Sequence, residues 1–251
     1  MSLKVVPGIV HALLGENSAG KSTLVKCVVD YQRAEEGSLL IDVREHDLAT
    51  PVIARNLGIG MVYQHFTLVP GMTVAENPLL TRDHLPAVID WPAVKAELGA
   101  FLATTPFKLD LDLDLDFDLD ATPQQLSAGQ KQRLEILKQL LFKPRLLILD
   151  EPSSVLTPQE ADEVLGLLRG RTHAGDCSIV LITHKFREVT AHADDVSVLL
   201  RGRLVAAHAV RETNPQQFAT EMIGGADDPK REFGAPVRTS SRQPCAGRGA
   251  P

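Results

Sequence analysis

The chain has 251 residues and a mass of 27.3 kDa, room for one large domain or two small ones. Hydrophobic residues make up 44% and charged residues 23%, which excludes wholesale disorder. The net charge of −6 argues against a general nucleic-acid binder, and it resides in one run: without Asp110, Asp112, Asp114, Asp116, Asp118 and Asp120 the chain is neutral. Cys27, Cys177 and Cys245 stand far apart with no CxxC spacing, so neither a disulfide framework nor a zinc site is expected, and a reducing compartment is. No apolar run approaches the ~18 residues of a membrane span, and Met1 to Gly8 lacks the apolar core of a secretory signal. A soluble, cytoplasmic chain is expected, whose membrane role would need a spanning partner.

Val10 to Leu14 is a short apolar run and predicts a strand. A Gly-rich turn follows, then a helix over Lys21 to Asp30. Leu39 to Val43 and Ile59 to Val62 read as short strands. From Gln64 to Leu126 the strand pattern disappears, Trp91 to Leu102 has helical spacing, and the region reads as an inserted helical lobe. Ala128 to Phe142 carries Leu134, Leu137 and Leu141 at helical intervals. Leu146 to Asp150 is a continuous apolar run ending in an acid, the pattern of a strand buried on both faces of a parallel sheet. After a helical segment from Pro158 to Leu168, Ile179 to Thr183 repeats that pattern, and Val196 to Leu200 follows. Thr213-Asn214-Pro215 starts a last helix, with Gly224-Gly225 as its stop. Strands alternating with helices predict a layered α/β domain. Its expected extent is 1–225, with a core of 1–64 and 136–225 and a helical lobe of about 65–135. Residues 226–251, poor in large apolar side chains, are expected to be a disordered tail.

The Leu109–Asp120 alternation has the period of a strand, but Asp is a poor strand former and six in register repel. It also begins like a calcium loop, yet Leu115 and Ala121 stand where such a loop requires Gly and Glu. A solvated connector is expected there.

Gly15-Glu16-Asn17-Ser18-Ala19-Gly20-Lys21-Ser22-Thr23 fits the GxxxxGK[ST] phosphate loop. Its glycines let the backbone curl so that successive N–H groups face one anion, and the loop enters a helix whose N-terminal dipole favours negative charge. Lys21 is expected to bridge the β- and γ-phosphates and the Ser22 hydroxyl to ligate Mg²⁺. At the end of its buried strand, Asp150 can hold Mg²⁺ through water, and Glu151 can accept a proton from an attacking water. Leu126-Ser127-Ala128-Gly129-Gln130 precedes that strand at short range. Ser127 is a good N-cap there, and Gly129 would let a phosphate approach the helix N-terminus closely.

This last segment resembles the LSGGQ signature of ATP-binding-cassette (ABC) ATPases, with Ala128 where Gly is usual. Gln64 resembles that family's Q-loop glutamine and His184 its switch histidine, and the motifs stand in the family's order from Leu3 to Gly225. Val62 to Pro70, Thr73 to Asn77, Glu151 to Glu160 and Thr183 to Val189 are similar to ATPases of nucleoside and simple-sugar importers. The resemblance implies a P-loop NTPase core with an inserted α-helical subdomain, and ATP-driven import at the cytoplasmic face of a membrane. ATP would be sandwiched between the phosphate loop of one cassette and Ser127, Gly129 and Gln130 of another. Gln64 would sense the γ-phosphate and touch the metal, His184 would stabilise the reacting geometry, and Glu151 would be the base. The implied partners are transmembrane permease subunits, a second cassette and, indirectly, a substrate-binding lipoprotein. A degenerate cassette that binds nucleotide weakly without efficient hydrolysis is the alternative reading.

Three departures from the family pattern generate further expectations. No Tyr or Phe precedes Gly15, so the usual adenine-stacking aromatic and two strands are expected to be missing, leaving an unpaired sheet edge near Val5 to Leu14. Members of this subclass generally carry two cassettes on one chain, so the partner cassette is expected from elsewhere. Thr157 stands where many members have the D-loop Asp.

Overall fold

The computed structural model describes residues 2–29, 36–46, 50–82, 86–104 and 119–223. The expected tail, the Gly224-Gly225 stop and nearly all of the Leu-Asp run lie outside the described residues.

Six strands form one sheet: β1 (Val10–Leu14), β4 (Ile59–Val62), β5 (Leu146–Asp150), β6 (Ser178–Thr183), β7 (Asp195–Leu200) and β8 (Arg203–Ala209), in the order β4-β5-β6-β1-β7-β8. All neighbours are parallel except β7 and β8, which form an antiparallel hairpin. The runs Val10 to Leu14 and Leu147 to Asp150 are buried throughout, as both faces of a helix-covered parallel sheet require. A separate hairpin joins β2 (Leu39–Ile41) and β3 (Arg44–His46). The helices are α1 (Lys21–Val28), α2 (Pro51–Asn56), α3 (Trp91–Thr104), α4 (Ala128–Leu141), α5 (Pro158–His173), α6 (Phe186–His192) and α7 (Pro215–Ile223).

One expectation is overturned. β1 is not an edge: Val10 to Leu14 pairs with Ile179 to Thr183 on one side, and His11 to Leu14 with Asp195 to Val198 on the other. The edges of this sheet are β4 and β8. Strands far along the chain fill both sides of β1, which no local pattern announces. Two elements are also shorter than their apolar runs. The strand from Leu39 stops at Ile41, because Asp42 and Val43 turn back at φ 51° and 66°. α1 ends at Val28.

Two apolar layers cover the sheet. One packs Val10, Ala12 and Leu14 with Leu147, Leu149, Leu168 and Leu181. The other packs Leu13 with Val25, Ile148, Val180, Ile182 and Leu199. α4 belongs to both parts of the molecule. Its Ile136 and Leu140 enter the first sheet layer, whereas Leu134 and Leu137 pack with Leu68, Val74 and Leu126 of the intervening region. The boundary expected between residues 135 and 136 therefore falls inside one continuous helix.

A polar cluster joins the same helix to the segment after β4. The Glu135 carboxylate accepts bonds from the Thr67 backbone N–H and hydroxyl, and Lys138 Nζ lies 2.7 Å from Glu135 Oε2 and donates to Thr67 Oγ1 at 2.7 Å. Glu135 and Lys138 are both buried, a placement charged residues tolerate only when paired and fully bonded.

Candidate functional site

The carboxyl ends of β1, β5 and β6 meet at one edge of the sheet, the place where open α/β sheets build their sites. The Gly15 to Gly20 turn links β1 to α1. Gly15 is there for close approach: a Cβ on it would stand 2.5 Å from the Leu199 carbonyl oxygen. Gly20 has φ 98°, a conformation that costs side-chain-bearing residues energy. The β7–β8 turn, Arg201-Gly202, supports the loop from below, its Gly202 N–H donating to the Ala19 carbonyl at 2.8 Å.

Within the turn Ala19 and Lys21 are buried, Gly20 and Ser22 are half-buried, and Glu16, Asn17, Ser18 and Thr23 are exposed. Lys21 Nζ donates to the Gly15 and Glu16 carbonyls at 2.7 and 2.9 Å, so the ammonium sits inside the curl of the loop. Burial lowers its pKa, and the nearby Glu151 and Asp150 charges pull it back up. Burial raises the Asp150 pKa against a hydrogen bond from the Ser22 hydroxyl. A hydroxyl and a carboxylate in contact are hard oxygen donors of the kind Mg²⁺ takes. Among the described residues no three His, Cys, Asp or Glu side chains gather into a metal cage.

Glu151 follows β5 with φ 49°, an uncommon backbone state for a non-glycine residue. Its N–H continues the sheet ladder to the Ile182 carbonyl at 3.0 Å. Its Oε1 meets His184 Nδ1 at 3.0 Å, with Glu151 largely covered and the imidazole 44% exposed. Lys21, Ser22, Asp150, Glu151 and His184, named from separate segments, are thus linked at one edge. Beside them a cavity of about 520 Å³ is lined by Glu16, Asn17, His184, Phe186, Ala219 and Met222.

The other candidates stand on the lobe side. Gln64, two residues past β4 and beside the end of β5, is exposed. Ser127 caps α4: its hydroxyl accepts from the Gln130 N–H at 3.1 Å, and Gln130 Oε1 accepts from the Ser127 N–H at 2.8 Å. Ser127 and Ala128 are exposed, but Gly129 is buried. A Cβ on Gly129 would lie 3.2 Å from Glu160 Oε1 and 3.5 Å from Leu156. Its lack of a side chain serves the packing of α4 on α5, where Arg133 also pairs with Glu160 at 2.8 Å. Thr157 caps α5 in a reciprocal pair with Glu160.

Residues 1–154 match the ABC transporter family. The chain belongs to that family. It is 36% identical over 225 residues to the nucleoside import ATP-binding protein NupA of Lactococcus lactis, covering 89% of this chain and 43% of the relative. To the ribose import ATP-binding protein RbsA of Chromobacterium violaceum it is 35% identical, covering 90% and 44%. To the methionine import ATP-binding protein MetN of Myxococcus xanthus it is 38% identical, covering 84% and 62%. Among solved structures, cbiO1 of Clostridium perfringens, part of the ABC transporter complex cbiONQ, superposes with a TM-score of 0.69 at 25% identity, covering 89% of this chain and 84% of that one. The dimeric bacterial ABC transporter cassette MJ0796 shares the fold, with a TM-score of 0.71 at 23% identity over 83% and 88% of the two chains. The chain spans less than half the length of the nucleoside and ribose relatives. Its fold is that of an ABC ATPase, and no helix among the described residues is long and apolar enough to cross a membrane.

A buried cluster beside the site brings Ser153, Thr183 and Glu188 together. All three lie in segments similar to importer ATPases, but their contact is not legible there, because they meet only once β5 and β6 lie side by side. The β7–β8 turn was also missed, although Arg201-Gly202 followed by an apolar stretch is a turn signal.

Proposed function

We propose that this ABC cassette binds ATP at the Gly15 to Thr23 loop and hydrolyses it when paired with a second cassette. The energy would power uptake of a nucleoside or simple sugar through separate transmembrane subunits at the cytoplasmic side of the membrane. The observation that carries the reading is the Glu151–His184 pair, held at 3.0 Å on neighbouring strand ends beside the buried Lys21. The names of the nucleoside, ribose and glucose relatives favour that solute class, and the methionine relative marks its edge.

Lys21 supplies a positive charge to the β- and γ-phosphates, and the backbone N–H groups of residues 16 to 22 surround the same oxygens. Asp150 and Ser22 would hold Mg²⁺, which neutralises charge on the phosphate oxygens when bound. Glu151 takes the proton of the attacking water. His184, bonded to it through Nδ1, fixes its direction and presents the other ring nitrogen to the transferred group. Gln64 reports the γ-phosphate to the lobe, and Ser127 with the exposed start of α4 binds the partner cassette's nucleotide. A substrate-binding lipoprotein would act on the far side of the membrane, without touching this chain.

Replacing Glu151 tests the reading. Glu151→Gln keeps MgATP binding and lowers hydrolysis by ~10²–10⁴-fold, the usual worth of a positioned acid–base group. Equal turnover in both proteins overturns the assignment. Binding without turnover in the wild type supports the degenerate-cassette alternative instead.

A further inference from the structure

We propose that Glu188 is a positioning residue for ATP hydrolysis, clamping the loop that carries His184 onto the loop that carries Glu151. The inference rests on the proposed roles of that pair. Glu188 lies in the first turn of α6 and is buried, as are Ser153 and Thr183. Its Oε1 accepts the Ser153 hydroxyl, and its Oε2 accepts the Thr183 hydroxyl at 2.8 Å. Ser153 stands two residues after Glu151, and Thr183 one residue before His184. One carboxylate thus spans the two catalytic loops, one oxygen for each.

The polarity of the cluster is fixed by Lys185. Its backbone N–H donates to Thr183 Oγ1 at 3.1 Å, and its Nζ donates to Ser153 Oγ at 2.8 Å and to the Ser153 carbonyl at 3.1 Å. Each hydroxyl is therefore already an acceptor toward Lys185 and must spend its single proton on Glu188. The carboxylate takes both protons and also pairs with Lys185, whose Nζ lies 3.3 Å from its Oε1. A glutamine keeps one acceptor, makes the other hydroxyl accept where it now donates, and removes the charge that faces Lys185 Nζ at 3.3 Å, so the two loops are held less tightly.

The clamp also has something to resist. Glu151 keeps its left-handed backbone only because its surroundings over-determine it: its N–H is held by Ile182 and its carbonyl by the Ser154 N–H at 3.1 Å, while Ser153 fixes the next turn. Apolar packing of α6 does not need the carboxylate, since Val189 of the same helix is fully buried in the sheet layer and Phe186 stacks on Phe218.

The test is steady-state hydrolysis by the full chain, with ATP affinity measured separately by labelled nucleotide. Glu188→Gln should lower kcat by ~10–10²-fold, the cost of about 1 Å of misplacement, with KM and nucleotide affinity unchanged. Thr183→Val should do the same, and Thr183→Ser should restore turnover, because it returns the hydroxyl alone. In the Glu151→Gln background the further change Glu188→Gln should cost less than threefold, since residues acting as one unit are not additive. If Glu188→Gln fails to fold, the Thr183 pair and Ser153→Ala decide the matter by the same split. Unchanged kcat, a loss shared with KM, or full additivity overturns the clamp while Glu151→Gln remains inactive. A Glu151→Gln protein that still turns over condemns the parent reading instead.

Discussion

The two sides of the site are built differently. On the sheet side Asp150, Glu151 and His184 sit at strand ends and Lys21 at the start of α1, and each is tied to a group of another segment or of the phosphate loop. On the lobe side Gln64 is exposed, and Ser127 is bonded only to its own helix turn. In the proposed reading the sheet side binds phosphate with this chain alone. In the same reading the lobe side, with the exposed start of α4, completes the partner cassette's site. On that reading one cassette carries two half-sites of unequal finish.

The comparison can be broken most severely at Lys21. Lys21→Ala removes a buried charge facing the phosphates, and ATP affinity should fall by at least ~10²-fold, the range for losing one member of a buried charge pair. Labelled-nucleotide titration checks it, and an affinity within threefold of wild type would mean the loop's N–H groups suffice. Ser127→Arg attacks the other half. It should leave nucleotide binding intact and lower hydrolysis by ~10²-fold, as for loss of a transition-state donor. The wild type should also show specific activity that rises with protein concentration, whereas high activity that stays flat on dilution would make the unit a monomer.

Smaller effects sharpen the sheet side. His11, in the middle of β1, is buried with its Nε2 on Ser197 Oγ at 2.9 Å and its Nδ1 without a partner. Burial lowers its pKa from 6.5 to about 4. The native state keeps it neutral while the unfolded chain takes up a proton below pH 6.5, so stability falls as pH drops from 6.5 and levels near 4. The full loss is on the order of 3 kcal/mol. Urea titrations at pH 7 and 4.5 should show His11→Val losing less stability between the two than wild type. An identical loss in both proteins would place the acid sensitivity elsewhere. The least effect is expected far from the site. Val43 sits at φ 66°, fully exposed at the tip of the β2–β3 hairpin, where such turns want glycine. Val43→Gly should stabilise by ~1 kcal/mol, read as a higher melting temperature with unchanged turnover.

How legible each part was in the sequence follows from the same contrast. β5 and β6 were evident because a strand covered on both faces must be apolar at every position, and Leu147 to Leu149 and Ile179 to Ile182 are. The phosphate loop was evident because its glycines answer to backbone geometry rather than to a partner. β8 was not: Arg203 to Ala209 is an edge strand in which only Ala206 is buried, so it lacks any clean period. β1's central place was hidden because both its partners lie late in the chain. Glu188 was hidden for the same reason, since its value depends on Ser153 and Thr183 arriving from different strands. Gly129 has a packing partner that its motif does not announce, since a Cβ there would lie 3.2 Å from Glu160 Oε1.

The central position of β1 has a consequence for biosynthesis. The Val10 N–H is bonded to Asp194 Oδ2 across 184 residues, and the Gly8 N–H to Ser178 Oγ across 170. The strand that aims the nucleotide loop therefore has no neighbours to pair with until most of the chain has left the ribosome. At ordinary elongation rates that wait is on the order of ten to forty seconds. Throughout it an apolar Val10 to Leu14 segment must be shielded by something other than its own fold, so synonymous changes that slow translation ahead of residue 178 should raise the yield of aggregated chain without altering one amino acid.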